Sequence, residues 1–242
     1  MRLLVTNGCS CTRGEELHDP SETSWPALLA RRLDLDLVNL ARDGSSNRRI
    51  VRSTVMSLPR LLEQARVLPA DIIVLICWTQ LSRHEYYSDV ERPEASRAIQ
   101  DGEVDRNWQR IGPWRKNRRH RPSVAFYKYM WNEHGQAVNF VVDWNLLDAY
   151  LGSIGVRARY THAFAPSPAL PTALAQVPTN VDPGRVWGGV MNDFAHSFEG
   201  VPAGTPKGSG GHPLEAGHAW FARVLGDWIL ESASDEFASG AP

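Results

Sequence analysis

The sequence predicts an α/β fold in which helices cover both faces of a central parallel sheet. Short apolar segments that resemble strands alternate along the chain with segments of helical periodicity, an order typical of parallel sheets. The segment DIIVLICW at 71–78 is apolar at every position after the first, which indicates a strand covered on both faces. Turns of small residues follow the predicted strands, as expected where a strand leads into a helix.

The predicted elements follow one another in a simple order. Ser24 is a candidate N-cap for the first long helix, and Pro26 is tolerated in its first turn. Pro59 either kinks a long second helix or begins a new one. The predicted strands lie at 2–6, 35–41, 71–78 and 156–164, and the predicted helices at 24–33, 45–57, 58–68, 124–152 and 213–232. Contacts between helices and sheet are expected to bury Val5, Ile73, Val74, Leu75, Phe221 and Leu225.

The length and composition are those of one globular domain. The chain has 242 residues, 43% of them hydrophobic and 22% charged, which excludes collagen, coiled-coil and disordered classes. We expect one domain over 1–232, with an irregular insertion at about 83–122, a loop-rich stretch at 165–211 and a flexible tail at 233–242. The apolar run after Met1 is too short for a secretory signal, and no run is long enough for a membrane helix. The three cysteines form no disulfide framework, so we expect a cytoplasmic protein.

The predicted insertion concentrates positive charge on a chain whose net charge is −1. Its segment 106–122 holds seven basic residues and no acidic ones. The segment is interpretable as a solvated loop, as a lid that binds an anionic substrate, or as a nucleic-acid surface on which Trp108 and Trp114 stack bases. Its place after the third strand favours the lid. Candidates for substrate binding are Arg115, Arg118 and Trp78.

Candidate catalytic residues follow the predicted strands, where sites form in open parallel sheets. Ser10 follows the first strand and is either a nucleophile or a turn cap. His212 precedes the last helix and is either the base for that serine or a loop residue. The Gly44 backbone and the Asn47 or Gln80 amide are candidate donors to a developing oxyanion. His218 is expected to pack or to lie at the surface.

The cysteines suggest no metal site. Cys9 and Cys11 flank Ser10, and either a thiolate nucleophile or a buried filler role is compatible with their position. A C-x-C pair without a second pair is poor evidence for zinc. We expect neither metal nor cofactor.

Three segments together resemble the conserved blocks of the SGNH (GDSL) hydrolases. GCSCTRG at 8–14 resembles their first block, NLARDGSSN at 39–47 resembles their second, and HPLEAGH at 212–218 resembles the end of their last block. The resemblance implies a flavodoxin-like three-layer sandwich and ester hydrolysis through an acyl-serine. It also implies that Ser10 attacks, that His212 acts as base and then acid, and that the Ser10 and Gly44 N–H groups bind the oxyanion.

The chain departs from this family pattern at three positions. Cys9 replaces an aspartate of the first block, and Gln80 is the best substitute for the asparagine of the third block. The aspartate of the last block falls at Ser209, so either a backbone carbonyl orients His212 in a dyad or Asp193 or Glu215 supplies the charge.

These observations predict a serine-dependent acyl-ester hydrolase or acyltransferase. Its expected substrate is a small molecule or glycan-like compound that is polar or anionic and carries an O-acyl group. One alternative is a catalytically impaired binding module on the same fold. Another is a nucleic-acid-interacting protein that uses the basic segment at 106–122. No membrane partner is expected, and the sequence does not indicate an oligomeric state.

Overall fold

The computed structural model describes residues 2–89, 102–118, 120–192, 202 and 204–238. Side chains are described for the same residues except 102, 103, 116–118 and 233–238.

A five-stranded parallel sheet forms the centre of the molecule. Its strands are β1 (Leu3–Asn7), β2 (Asp36–Asn39), β3 (Ile72–Trp78), β6 (Arg157–His162) and β7 (Val186–Val190), in the spatial order β2-β1-β3-β6-β7. Leu3 pairs with Asp36 on one side and with Ile72 on the other. Because all strands run the same way, the segments that leave β1, β2, β3 and β6 meet at one edge of the sheet.

Alternate residues of each strand face opposite helical layers. Val5 and Val74 pack into a core with α4 (Asn47–Ala65) and α6 (Glu133–Ser153), whereas Leu4 and Leu75 face α3 (Trp25–Arg32) and α8 (Glu215–Ala238). The six residues expected in the core are all buried. The predicted α/β sandwich is therefore confirmed, and its two cores follow from the period-2 alternation of the strands.

Several predicted boundaries differ from the structure. Pro59 lies inside a single helix, α4, and does not begin a new one. Because proline has no N–H, the carbonyl of Val55 loses its helical donor and accepts a hydrogen bond from the Tyr150 hydroxyl at 3.4 Å. The predicted helix at 124–152 is divided into α5 (Arg121–Ala125), a π-helical turn (Phe126–Met130) and α6. The last helix continues to Ala238, six residues beyond its predicted end.

The two segments predicted to be irregular contain regular structure. Within the insertion, β4 (His84–Tyr87) and β5 (Trp108–Ile111) form a separate antiparallel pair. The loop-rich stretch contains α7 (Leu170–Gln176) and the edge strand β7. The sequence of β7, VWGGV, does not predict a strand, because glycine is disfavoured in strands.

A buried ion cluster fixes the insertion to α4. Asp105 is 4% exposed and accepts hydrogen bonds from Arg49 at 2.7 Å and Arg52 at 3.1 Å. Arg42 lies 3.1 Å from the same carboxylate. Burial opposes ionisation, but the hydrogen bond from Arg49 and the three positive charges lower the pKa of Asp105 to about 2. The insertion is thereby held beside the end of β2.

Candidate active site

The turn after β1 places Ser10 in a constrained, buried position. The Asn7 side chain accepts from the Gly8 N–H and donates to the carbonyl of Ile50 in α4, which fixes the end of the strand. A Cβ at Gly8 would lie 2.1 Å from the Thr12 hydroxyl, so only glycine fits there. Ser10 begins the short helix α1 (Ser10–Arg13) and is 4% exposed.

His212 reaches Ser10 from the opposite end of the chain. Its Nε2 atom lies 2.9 Å from Ser10 Oγ, across 202 positions of sequence. The loop that carries His212 is shaped by Gly211, whose φ of 83° is unfavourable for other residues, and by a hydrogen bond from Gly208 N–H to the His212 carbonyl. The parallel topology thus brings the two predicted catalytic residues into contact.

Glu16 completes a hydrogen-bonded chain with these two residues. Its Oε2 lies 2.8 Å from His212 Nδ1, and its carboxylate also accepts hydrogen bonds from the N–H groups of Gly210 and His212 and from the Ser209 hydroxyl. These bonds, that of Gly210 above all, lower the pKa of Glu16 to about 2. The carboxylate is therefore ionised at neutral pH.

Glu16 is the residue that the sequence reasoning missed. That reasoning sought the acid near His212, whereas Glu16 lies six positions after Ser10. Ser209 does contribute, but its hydroxyl contacts Glu16 at 3.0 Å and not the imidazole. Asp193 lies outside the described residues, and Glu215 begins α8. The sequence signal that could have indicated this carboxylate is the pair of acidic residues, Glu15 and Glu16, directly after Gly14.

A cavity of about 330 Å³, the serine cavity, opens above Ser10. Gly44 lines it with a φ of 64°, and a Cβ there would lie 3.0 Å from the Trp114 ring and 3.2 Å from Arg110 Nη1. The insertion therefore forms a wall of the cavity. The lining residues are Ser10, Glu15, Asp43, Gly44, Arg83, Arg110, Trp114, Gly210 and His212.

The two amides expected to help Gly44 lie elsewhere. Asn47 is buried at the start of α4, where its amide accepts from Thr79 N–H at 2.9 Å and donates to Thr79 O at 3.1 Å. It therefore joins the segments that follow β2 and β3. Gln80 is exposed and lines a second cavity of about 240 Å³, the aromatic cavity, whose walls include Trp131, Phe140 and Phe164.

The three residues expected to bind substrate have different locations. Trp78 is fully buried and stacks on Tyr160, with ring centroids 6.1 Å apart, because strand alternation directs it into the core. Arg115 donates a long hydrogen bond of 3.4 Å to the carbonyl of Arg110 beside the serine cavity. The side chain of Arg118 lies outside the described part. Arg83 and Trp114 also line the serine cavity. Arg83 was not among the predicted site residues, and Trp114 was named only as a residue on which bases would stack.

The cysteines and His218 have structural positions. Cys9, Cys11 and Cys77 are buried and unpaired. Burial raises the pKa of Cys77, as expected of an inert core thiol. His218 is fully buried and accepts a hydrogen bond from the N–H of Trp25 at 2.9 Å, so it packs in the core. Within the described ranges, no three His, Cys, Asp or Glu side chains are grouped so that they could hold a metal ion.

Over the part of the chain with assigned structure, no helix has both the length and the apolar character needed to cross a membrane.

Solved structures with a similar fold include several esterases. An acetyl xylan esterase (Est2A) from the rumen bacterium Butyrivibrio proteoclasticus aligns with a TM-score of 0.55 and 12% identity, over 96% of this chain and 64% of that one. A family two carbohydrate esterase from Clostridium thermocellum, in complex with cellohexaose, aligns with a TM-score of 0.54 and 15% identity, over 96% and 65%. A G-D-S-L family protein from Desulfitobacterium hafniense DCB-2 gives a TM-score of 0.45 and 12% identity, over 94% and 99%.

The two likenesses with TM-scores of 0.54 and 0.55 show that the chain shares the fold of these carbohydrate esterases. The chain spans about two thirds of the length of the two carbohydrate esterases. No curated protein matches the sequence. The sequence profile of a family of unknown function, DUF6071, matches residues 13–238, which is most of the chain. The chain belongs to the DUF6071 family.

Proposed function

We propose that this protein is a serine-dependent acyl-ester hydrolase or acyltransferase. The observation that carries the proposal is the continuous chain of contacts from Ser10 Oγ to His212 at 2.9 Å and from His212 to Glu16 at 2.8 Å. A nucleophile, a base and an orienting carboxylate in this geometry are the components of acyl transfer through a covalent intermediate.

The ionised carboxylate of Glu16 determines the roles of the two imidazole nitrogens. A carboxylate only accepts hydrogen bonds, so Nδ1 of His212 carries the ring proton and donates a hydrogen bond to Glu16. In the neutral ring Nε2 is then an acceptor for the Ser10 hydroxyl. His212 takes the serine proton as Oγ attacks the ester carbonyl, and Glu16 stabilises the imidazolium that forms.

The second half of the reaction follows from the same groups. His212 returns the proton to the departing alcohol, which leaves an acyl group on Ser10. Water, or a second alcohol or amine, then attacks this acyl-enzyme with His212 again acting as base. Both hydrolysis and transfer are compatible with the site.

Two backbone N–H groups are available for the oxyanion. Ser10 and Gly44 both line the serine cavity, and neither N–H donates to another residue in the described part of the chain. Donors of this kind, held in place before reaction, are worth about 3–4 kcal/mol each to the transition state. The positive φ of Gly44 and the absence of a Cβ let the backbone approach the substrate there.

The cavity suits a polar acceptor such as a carbohydrate. Trp114 is 44% exposed and lines the cavity, so its indole is available for apolar contact with a sugar ring. Charged and hydrogen-bonding groups line the remaining walls. The acetyl xylan esterase and the cellohexaose-bound esterase share this fold, which supports a glycan-like substrate.

A fluorophosphonate probe tests the proposal directly, because it reacts with activated serines. We expect one adduct per chain, located by peptide mass spectrometry on Ser10, together with hydrolysis of 4-nitrophenyl acetate. Ser10→Ala removes both, whereas the matched control Ser153→Ala, at an exposed serine that ends α6, retains the adduct. If wild-type protein is folded but unlabelled, or if Ser10→Ala is labelled equally, the proposal fails. The alternative of a catalytically impaired binding module is then favoured.

A further inference from the structure

Arg83 has an unusual position at the border of the serine cavity. It follows β3 by five residues, and its guanidinium contacts two aromatic rings, 5.1 Å from the centroid of Trp114 and 4.9 Å from that of Phe164. Two cation–π contacts restrain the side chain without neutralising its charge. The group is thus presented in a fixed place.

Arg83 also lacks a counter-charge among the described residues. No carboxylate there forms an ion pair with it, and its Nε is buried without a hydrogen-bond partner. Its neighbours differ in this respect, since Arg13 pairs with Asp43 and Arg49 pairs with Asp105. A half-buried guanidinium with unmatched donors is complementary to a carboxylate or phosphate, which accepts two parallel hydrogen bonds.

Arg83 lines the same cavity as Ser10 and His212, so its charge borders the proposed reaction centre. Chiefly a hydrogen bond with Cys11, and in addition the charge of Arg83, lower the pKa of Cys9, the residue next to the nucleophile. The electrostatic field of the guanidinium therefore extends to the turn where the ester would bind.

The acidic residues of the cavity do not cancel this charge. Asp43 is already paired with Arg13, and Arg110 donates to the Asp43 carbonyl. Glu15 interacts with Asp43, and this hydrogen bond raises the pKa of Glu15. Burial and neighbouring arginines lower the pKa of Arg110 to about 10, so it stays cationic at neutral pH.

We infer that Arg83 binds an anionic group, a carboxylate or a phosphate, on the alcohol portion of the acyl ester. This inference rests on the proposed function and specifies its substrate class. The cavity, at about 330 Å³, has the volume of a small-molecule site. Arg83 is then a specificity-determining residue, and neutral esters of the same shape are poorer substrates.

Two matched pairs of acetyl esters test this inference and separate the two anions. The carboxylate pair is acetylated methyl glucuronide and acetylated methyl glucoside, and the phosphate pair is acetylglycerol phosphate and monoacetylglycerol. We expect kcat/KM to favour the anionic member of at least one pair by about 10- to 100-fold, the usual effect of a charged hydrogen bond. The pair in which the anionic ester is favoured shows whether Arg83 binds a carboxylate or a phosphate.

Variants assign the preference to Arg83. In Arg83→Gln the preference falls to about one, chiefly through loss of activity on the anionic ester, and Arg83→Lys restores part of it. Arg48→Gln is the matched control, because Arg48 is exposed and pairs with Asp143. Equal rates on both members of each pair, or a preference that survives in Arg83→Gln, would overturn the inference.

A binding measurement keeps this inference separate from the proposed function. Methyl glucuronide and glycerol phosphate need no catalysis to bind, so their affinities are measured by calorimetry in wild-type and Arg83→Gln proteins. If Ser10 is not labelled but these anions bind and Arg83→Gln abolishes binding, the catalytic proposal fails and the anion site stands. If Ser10 is labelled and no anion binds or is preferred, only the anion site fails.

Discussion

Two neighbouring cavities at the same sheet edge are built from different chemistry. The serine cavity beside β1 and β2 is lined by polar and charged groups, including His212 and Arg110. The aromatic cavity beside β3 and β6 is lined by Trp131, Phe140 and two prolines. Arg83 and Phe164, in contact with each other, belong one to each cavity. Both cavities therefore form where strands end. Only the serine cavity combines this position with long-range hydrogen bonds between groups that could catalyse a reaction.

The largest expected effect concerns Glu16, the carboxylate that contacts His212 beside the serine cavity. Glu16→Gln keeps the size of the side chain but removes the charge that stabilises the imidazolium, and we expect kcat on 4-nitrophenyl acetate to fall on the order of 10³-fold. Glu133→Gln, in the aromatic cavity, is the matched control and should change kcat less than about twofold. Equal effects of the two substitutions would mean that Glu16 does not assist His212.

The wall of the serine cavity depends on the ion cluster at Asp105. Asp105→Asn leaves Arg42 and Arg49 buried without a carboxylate, so we expect the free energy of unfolding to fall by about 3–5 kcal/mol in urea titrations. The matched control is Asp227→Asn, which breaks an exposed ion pair with Arg32 and costs at most about 1 kcal/mol. A loss as small as that of the control would show that the cluster does not anchor the insertion.

Acid should destabilise the fold through a histidine that lines the aromatic cavity. Burial lowers the pKa of His162 to about 4 from its ordinary 6.5, so the unfolded chain binds this proton more readily than the folded one. Stability is therefore lost as the pH falls from about 6.5 to about 4, by on the order of 2–3 kcal/mol for this residue. Glu16, with a pKa of about 2, stays ionised over that range.

Urea unfolding at pH 7 and pH 4 checks this prediction. His84 and His218, whose pKa values burial also lowers to about 4, add to the total loss in every variant. His162→Gln should reduce the difference between the two pH values, and His134→Gln, at the exposed contact with Gln176, should leave it unchanged. An unchanged difference in His162→Gln would contradict the assignment.

The smallest effect is expected at Gln80. Its side chain is exposed and lines the aromatic cavity, so Gln80→Ala should alter kcat/KM on 4-nitrophenyl acetate less than about twofold. Gly44→Ala is the comparison in the serine cavity, because a Cβ there meets Trp114 and Arg110, and it should lower activity by about tenfold or more. A large loss in Gln80→Ala would restore its expected role as an oxyanion donor.

The pattern of the sequence was sufficient for the sheet and for its two cores. Continuous apolar segments such as Ile72–Trp78 are recognisable locally, because burial on both faces requires apolar side chains at every position. The edge strand β7 was missed, since two glycines conceal its character and its pairing with β6 supplies the backbone partners that local propensity does not indicate.

The sequence by itself determined that Ser10 and His212 lie at one edge of a parallel sheet, because strand direction follows from the alternation of strands and helices. Only the tertiary structure decided which carboxylate serves His212 and which aromatic rings hold Arg83 at the border of the serine cavity. Glu16 meets Ser209, Gly210 and His212 across more than 190 positions, through a turn in which Glu16 itself has a φ of 70°. Such contacts depend on how loops far apart in the sequence pack together, and residue spacing along the chain does not predict that packing.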